Sequence, residues 1–347
     1  MDLDGNGWPR SRTVWARRWE SGAWTAAERL CDAPPVDGEL YASRPRVGID
    51  AQGRALVAWD QLDVSRPNSI LAARFDGVSW SAPFLVSGGD RYAAWADAAM
   101  SADGSAAVVW VQDTNLYDPG QSGGGPSIPN IWARAFDGAS WGAPQRIGSA
   151  DLADYEGCER PAVVMDAAGR AFAIWEEQRS AQNRIVSAAL DPAGPSWGAP
   201  ATLASSALGD YLSFPSIAAD GSGNAFAVWQ SDVPGSSEAH GASARYAAAG
   251  GAWAGAELFE QGGDVPEAVA AMDGAANGWA LYGRAGMKAR RNDPAAGWQA
   301  VSALGPGHVT DAEANGSGMV IVGGYDGYYS SSPLGFFVSA RASVYVP

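Results

Sequence analysis

The sequence predicts an all-β chain, folded as a single closed β-propeller of four-stranded antiparallel blades. Three observations carry that expectation: a ten-residue motif that recurs along the chain, a second motif that follows each copy, and the lack of any sustained 3.6-residue apolar period. Residues 50–59 read DAQGRALVAW, 166–175 DAAGRAFAIW, 220–229 DGSGNAFAVW and 273–282 DGAANGWALY, aligned without a gap. SADGSAAVVW at 101–110 and NGSGMVIVGG at 315–324 are weaker copies. Successive copies start roughly 40 to 65 residues apart, which is close to the length of one four-stranded blade.

Each unit divides into four short strands. Strand one precedes the Asp, as RPRVGI does at 44–49, and strand two is the apolar run ending in Trp59, Trp110, Trp175 or Trp229. The second motif, AARFDGVSW at 72–80 and ARAFDGASW at 133–141, supplies strand three, a Phe-Asp-Gly turn and the start of strand four. Further copies are SAALDPAGPSW at 187–197, ARYAAAGGAW at 244–253, ARRNDPAAGW at 289–298, ARRWESGAW at 16–24 and a truncated SARASVYV at 339–346. Asp-x-x-Gly and Asp-Gly provide the positive-φ positions of tight turns.

Strand two alternates small with large side chains at adjacent positions, Ala171, Phe172, Ala173, Ile174 and Trp175, as suits a sheet buried on both faces. Radial packing into a ring covers both faces and leaves only short edges. Seven copies of the second motif give seven blades, or six if the partial terminal units merge. The chain ends are expected to meet and complete the ring, with residues 1–347 as one domain.

Composition fits a folded chain. Apolar residues make up 47% and charged residues 18%, enough to bury a core and too little charge for disorder. No apolar run is long enough for a membrane-spanning helix. The 38 acidic residues outnumber 23 basic ones, and the net charge of -15 argues against a phosphate backbone or an anionic membrane as partner. The first residues lack the order of a signal peptide, so the expectation is a secreted or surface protein whose export signal has been trimmed.

These repeats carry a resemblance: the chain looks like a sialidase-like β-propeller of the Asp-box (BNR) type over nearly its whole length. FDGVSW at 75–80 and FDGASW at 136–141 sit where that family's Asp-box joins strands three and four, in a shortened form. The resemblance implies that Asp76 and Asp137 form turns on the face opposite any active site. Sialidases use three arginines, a Tyr and Glu pair and an acid Asp, with the first Arg two residues before a Pro. Here Arg44 and Arg160 directly precede Pro45 and Pro161, so the resemblance implies the fold more strongly than the activity.

A meander places consecutive turns at alternate strand ends. The Asp turns therefore share one face, and the longer connections after strands two and four share the other, where binding loops reside. The longest, 113–129, is expected to overhang the channel mouth. Before strand one come Tyr41 and Arg44, Tyr92 with Trp95 and Asp97, Tyr155 with Glu159 and Arg160, Tyr211 and Phe214, Glu267, and His308 with Asp311. After strand two come Asp60 and Gln61, Gln112 and Asp113, Glu176 and Glu177, Gln230 and Asp232, Arg284, and Tyr325 with Asp326.

Aromatic planes suit the apolar faces of sugars, and acids, amides and Arg bind their hydroxyls. The candidate ligand-binding set is accordingly Tyr41, Arg44, Tyr92, Trp95, Asp97, Arg160, Glu176, Tyr211, Glu267, His308 and Asp311. The plainer alternative is that the rings fill wedges between blades and the arginines pair with neighbouring acids.

Other features point to less. DLDGNG at 2–7 begins like a calcium loop, but Thr13 stands where the loop's last Glu belongs, so an Asp-Gly turn is the better reading. His240 and His308 are the only histidines, which excludes a three-histidine zinc site. Cys31 and Cys158 either bridge or remain inert thiols. No metal or cofactor is expected.

The leading expectation is a propeller that binds a glycan or a protein without catalysis, because repeated aromatic positions suit a multivalent binder. A polysaccharide hydrolase or lyase stands as the alternative, using an acid pair such as Glu176 with Glu267 or a Tyr, His and Arg set. A structural or assembly role is the third.

Overall fold

The computed structural model describes the chain except residues 1–10, 32–39, 64–65, 90, 115–127, 154–155, 193, 195, 207–210, 233–238, 264, 266, 284–285, 316–319, 330–335 and 346–347. The loop expected over the channel mouth and the DLDGNG stretch fall largely or wholly outside the described residues. Among the described residues there is no helix.

From Leu40 onward the strands follow the repeat. The first large sheet orders Leu40–Ile49, Ala55–Asp63, Arg66–Phe75 and Phe84–Leu85. Ala93–Met100, Ala106–Asp113, Pro129–Phe136 and Gln145–Arg146 make the second. Gly157–Met165, Ala171–Gln178, Asn183–Leu190 and Ala201–Ser205 make the third. The fourth opens with Leu212–Ala219, Ala225–Asp232 and Ala239–Ala247, the fifth with Val269–Met272, Gly278–Tyr282 and Met287–Asp293. His308–Ala314, Val320–Tyr329 and Phe336–Tyr345 form a three-stranded sixth. All six are antiparallel meanders, and the first strand of each packs on the first strand of the next, the radial order of a propeller.

The described strands form eight sheets rather than seven equal blades. The two small ones are N-terminal: Trp15–Ala16 pairs with Glu28–Arg29, and Trp19–Glu20 with Ala23–Trp24. Beside them Val14, Leu30 and Cys31 pack on Val57, Trp59, Leu71 and Ala73 of the first sheet. The N-terminal copy carries only the second motif, so it supplies two short ladders where the second and third units supply four strands.

The turns form as their residue types dictate. Asp50 Oδ1 accepts the amides of Gln52 and Arg54 at 2.9 and 2.8 Å, and Asp166 and Asp220 repeat the pattern. Gly53, Gly169 and Gly223 hold the positive φ in these turns, at 77°, 87° and 86°. Asp76 accepts Val78 N and Ser79 N, and Asp137 accepts Ala139 N and Ser140 N, closing the turns between strands three and four.

Between sheets lies the core. Trp59, Trp110, Trp175 and Trp229 are fully buried, as is Tyr282 at the same station of the fifth sheet. Ala171 to Trp175 are all inaccessible, so both faces of strand two are covered. The two cysteines are free thiols, each buried, and burial pushes the Cys158 thiol up.

Candidate mouth site

Strand one of each of the first four sheets carries a bulge near its start, on the end away from the Asp turns. The register shifts between Ser43 and Arg46, Ala94 and Asp97, Glu159 and Ala162, and Ser213 and Ser216. Within the bulges Arg44, Trp95, Arg160 and Phe214 take φ of 50°, 62°, 50° and 54°. None is a residue that favours the left-handed region, so the same backbone strain recurs four times at one rim.

The bulges aim these four side chains at one another. The Arg44 guanidinium lies 4.9 Å from the Trp95 ring centre, and Arg160 lies 5.7 Å from Trp95 and 4.6 Å from Phe214. Cation and ring thus alternate across four sheets. The residue after the strand-two tryptophan holds the ladder in place: Asp60 accepts Arg44 Nη1 at 3.0 Å and Trp95 N at 3.0 Å, and Glu176 accepts Arg160 Nη1 at 2.8 Å and Phe214 N at 2.6 Å. Each carboxyl group therefore ties its own sheet to the bulge of the next.

An open cleft of about 300 Å³ lies between the third and fourth sheets, lined by Glu159, Arg160, Glu176, Gln178, Asn183 and residues 211–214. Glu159 and Glu176 are cross-strand partners, so their side chains leave the same face. Oxygens of the two carboxyls lie 3.7 and 2.8 Å from the same Arg160 nitrogen and so within about 6.5 Å of each other. Glu176 is 2% exposed, and burial pushes its carboxyl up to about 6 against the bonds from Phe214 N and Arg160. Glu159 is the open member of the pair, with 43% of its side chain exposed.

Of the sequence-derived set, Arg160, Glu176 and Tyr211 line this cleft, while Arg44, Tyr92 and Trp95 stand at the first and second sheets. Tyr41 is half-buried at the start of the first sheet. Asp97 accepts Val163 N at 2.9 Å and so staples the second sheet to the third; burial raises its carboxyl. Ser216 does the same at 3.0 Å for Ala270 N between the fourth and fifth sheets. His308 and Asp311 begin the sixth sheet, and Glu267 is exposed ahead of the fifth. The cleft sets Glu159 beside Glu176, and Glu267 is not among its lining residues. Among the described residues no group of three metal-ligating side chains is present.

No protein-family model and no curated protein matches the chain. Solved structures do match in shape. A Dyadobacter fermentans protein of unknown function is 15% identical over 88% of this chain and 94% of its own, with a TM-score of 0.54. A Penicillium chrysogenum α-L-arabinanase, solved with arabinobiose, is 13% identical over 84% and 91%, with a TM-score of 0.51. An intramolecular trans-sialidase of Ruminococcus gnavus is more distant: 10% identical over 82% and 90%, TM-score 0.47. The chain is similar in fold to the Dyadobacter fermentans protein and to the arabinanase.

One expectation is corrected by these findings. A propeller that binds without catalysis was expected from regularity, yet the solved structures of this fold include glycoside hydrolases. The regularity also breaks at the mouth: of the first four sheets, the third alone sets two carboxyls face to face, at Glu159 and Glu176.

Proposed function

We propose that the chain is a polysaccharide-active enzyme, a glycoside hydrolase for neutral saccharides with Glu159 and Glu176 as its carboxyl pair. The carrying observation is the close approach of both carboxyls to one Arg160 nitrogen inside the cleft. Carboxyl groups about 5–5.5 Å apart serve retaining glycosidases, and the spacing here is compatible with that class. Glu176, which keeps its proton up to about pH 6, gives it to the glycosidic oxygen as the bond to the anomeric carbon breaks. Glu159 attacks that carbon to form a glycosyl ester. Water, deprotonated by Glu176, then displaces Glu159 and restores both groups.

Neutral substrates follow from the lining. Arg160 is the cation of the cleft and pairs with the Glu159 carboxylate at 3.7 Å, so it leaves no unpaired positive charge for an acidic sugar. Tyr211 offers an exposed ring, and Gln178, Asn183 and Ser213 suit hydroxyls. The shared fold with an arabinanase makes linear arabinan the first probe. The same reading treats the six sheets and the N-terminal ladders as one closed Asp-box-type ring, supported by the packing of Val14 and Leu30 where a preceding blade would sit.

Incubation with linear arabinan, xylan, galactan and polygalacturonate, followed by a reducing-end assay, tests the function. Release from at least one neutral polymer is expected. Release from none, or from polygalacturonate alone, contradicts the reading.

A further inference from the structure

The constellation around the cleft occurs twice. At the third and fourth sheets it comprises Arg160, Glu176, Tyr211 and Phe214; at the first and second sheets Arg44, Asp60, Tyr92 and Trp95 hold the same stations. In both, the tyrosine stands three residues before the aromatic bulge residue. Both copies have positive φ at the Arg and at the aromatic, and in both the acid bonds its Arg and the next bulge amide. Tyr92 is 53% exposed and Tyr211 59%.

The pattern is not a by-product of blade packing. Between the second and third sheets, Val111 stands where the acid would be and Gly157 where the tyrosine would be. The duplication has a step of two sheets.

The copies differ where the chemistry differs. Ser43, cross-strand partner of Asp60, replaces Glu159, so the first copy lacks the second carboxyl that hydrolysis needs. Leu62 replaces Gln178 and is exposed, so an apolar side chain stands where the cleft has an amide. Trp95 joins the two copies, since its ring faces Arg44 from one and Arg160 from the other.

We propose that Arg44, Asp60, Tyr92 and Trp95 form a second, non-hydrolytic saccharide subsite that holds the distal part of a polysaccharide while its scissile bond lies at Glu159 and Glu176. This rests on the saccharide reading of the cleft. Tyr92 stacks on a sugar ring, and the exposed Arg44 guanidinium, held in place by buried Asp60, donates to its hydroxyls.

The test uses the full chain carrying Glu176→Gln, so that bound polymer is not consumed. Native gels cast with linear arabinan, xylan or galactan give its affinity from retardation. Adding Tyr92→Ala should weaken that affinity about tenfold, and Tyr92→Phe, which keeps the ring, should hold it within about twofold. Retardation equal in the parent and in Tyr92→Ala, or no retardation of the parent, overturns the proposal. Tyr92-dependent retardation from a wild type that releases no reducing ends removes the hydrolase reading and leaves the subsite. Reducing-end release combined with Tyr92-independent retardation does the reverse.

Discussion

Asp60 and Glu176 make the same two bonds two sheets apart, each accepting an Arg Nη1 from its own strand one and a bulge amide from the next sheet. Hydrogen bonds to a charged group contribute about 1.5–3 kcal/mol each, against the cost of burying the carboxyl. Burial prevails at Glu176, where the cleft places Glu159 alongside.

That balance has a sign in pH. The Glu176 carboxyl sits at about 6 in the folded chain, above its ordinary value of 4.5, so the folded state binds more protons between those limits. Its contribution to stability falls as pH rises through 4.5 to about 6, by about 2 kcal/mol in all. The difference in unfolding free energy between wild type and Glu176→Gln, measured in urea at pH 4 and pH 7.5, should move toward the variant by that order at the higher pH. Hydrolysis should fall as pH rises through about 6, because the acid must carry its proton.

Trp175 is fully buried between the second and third sheets, in one core cluster with Val109, Ile131 and Val163 among others. Trp175→Ala should lower the unfolding free energy by about 3–5 kcal/mol. A denaturant midpoint equal to the wild type would contradict its place in the core.

The strands were legible because period and turn chemistry agree: Asp and Gly mark the turns, and alternating small and large residues mark a sheet covered on both sides. The candidate site was legible in part. Arg44, Trp95 and Arg160 stood out as residue types, but nothing local in the sequence announces a bulge with positive φ at Arg, Trp or Phe. Those bulges set the ladder and put Glu159 opposite Glu176. Asp60 and Glu176 share the position after a repeat tryptophan, a signal that aligning the copies exposes. Glu159 was not singled out as the partner of Glu176 because position in a repeat says nothing of which carboxyls the strand pairing brings together.

Asp137 belongs to the opposite face, and its carboxyl is held below the usual range by the amides of Ser140 and Ala139. Its turn contribution is present above the ordinary aspartate range and lost as pH falls through the lowered value. Asp137→Ala should lower the thermal midpoint measured at pH 7 and leave the rate of saccharide hydrolysis by the folded fraction unchanged.

The initial rate of reducing-end release from the neutral polymer found to be cleaved, measured side by side for wild type and folded Glu176→Gln, tests the acid pair most directly. Removing a general acid costs about 10²–10⁴ in rate. The account predicts a loss of that size with the polymer still bound, and equal rates in the two proteins would contradict it.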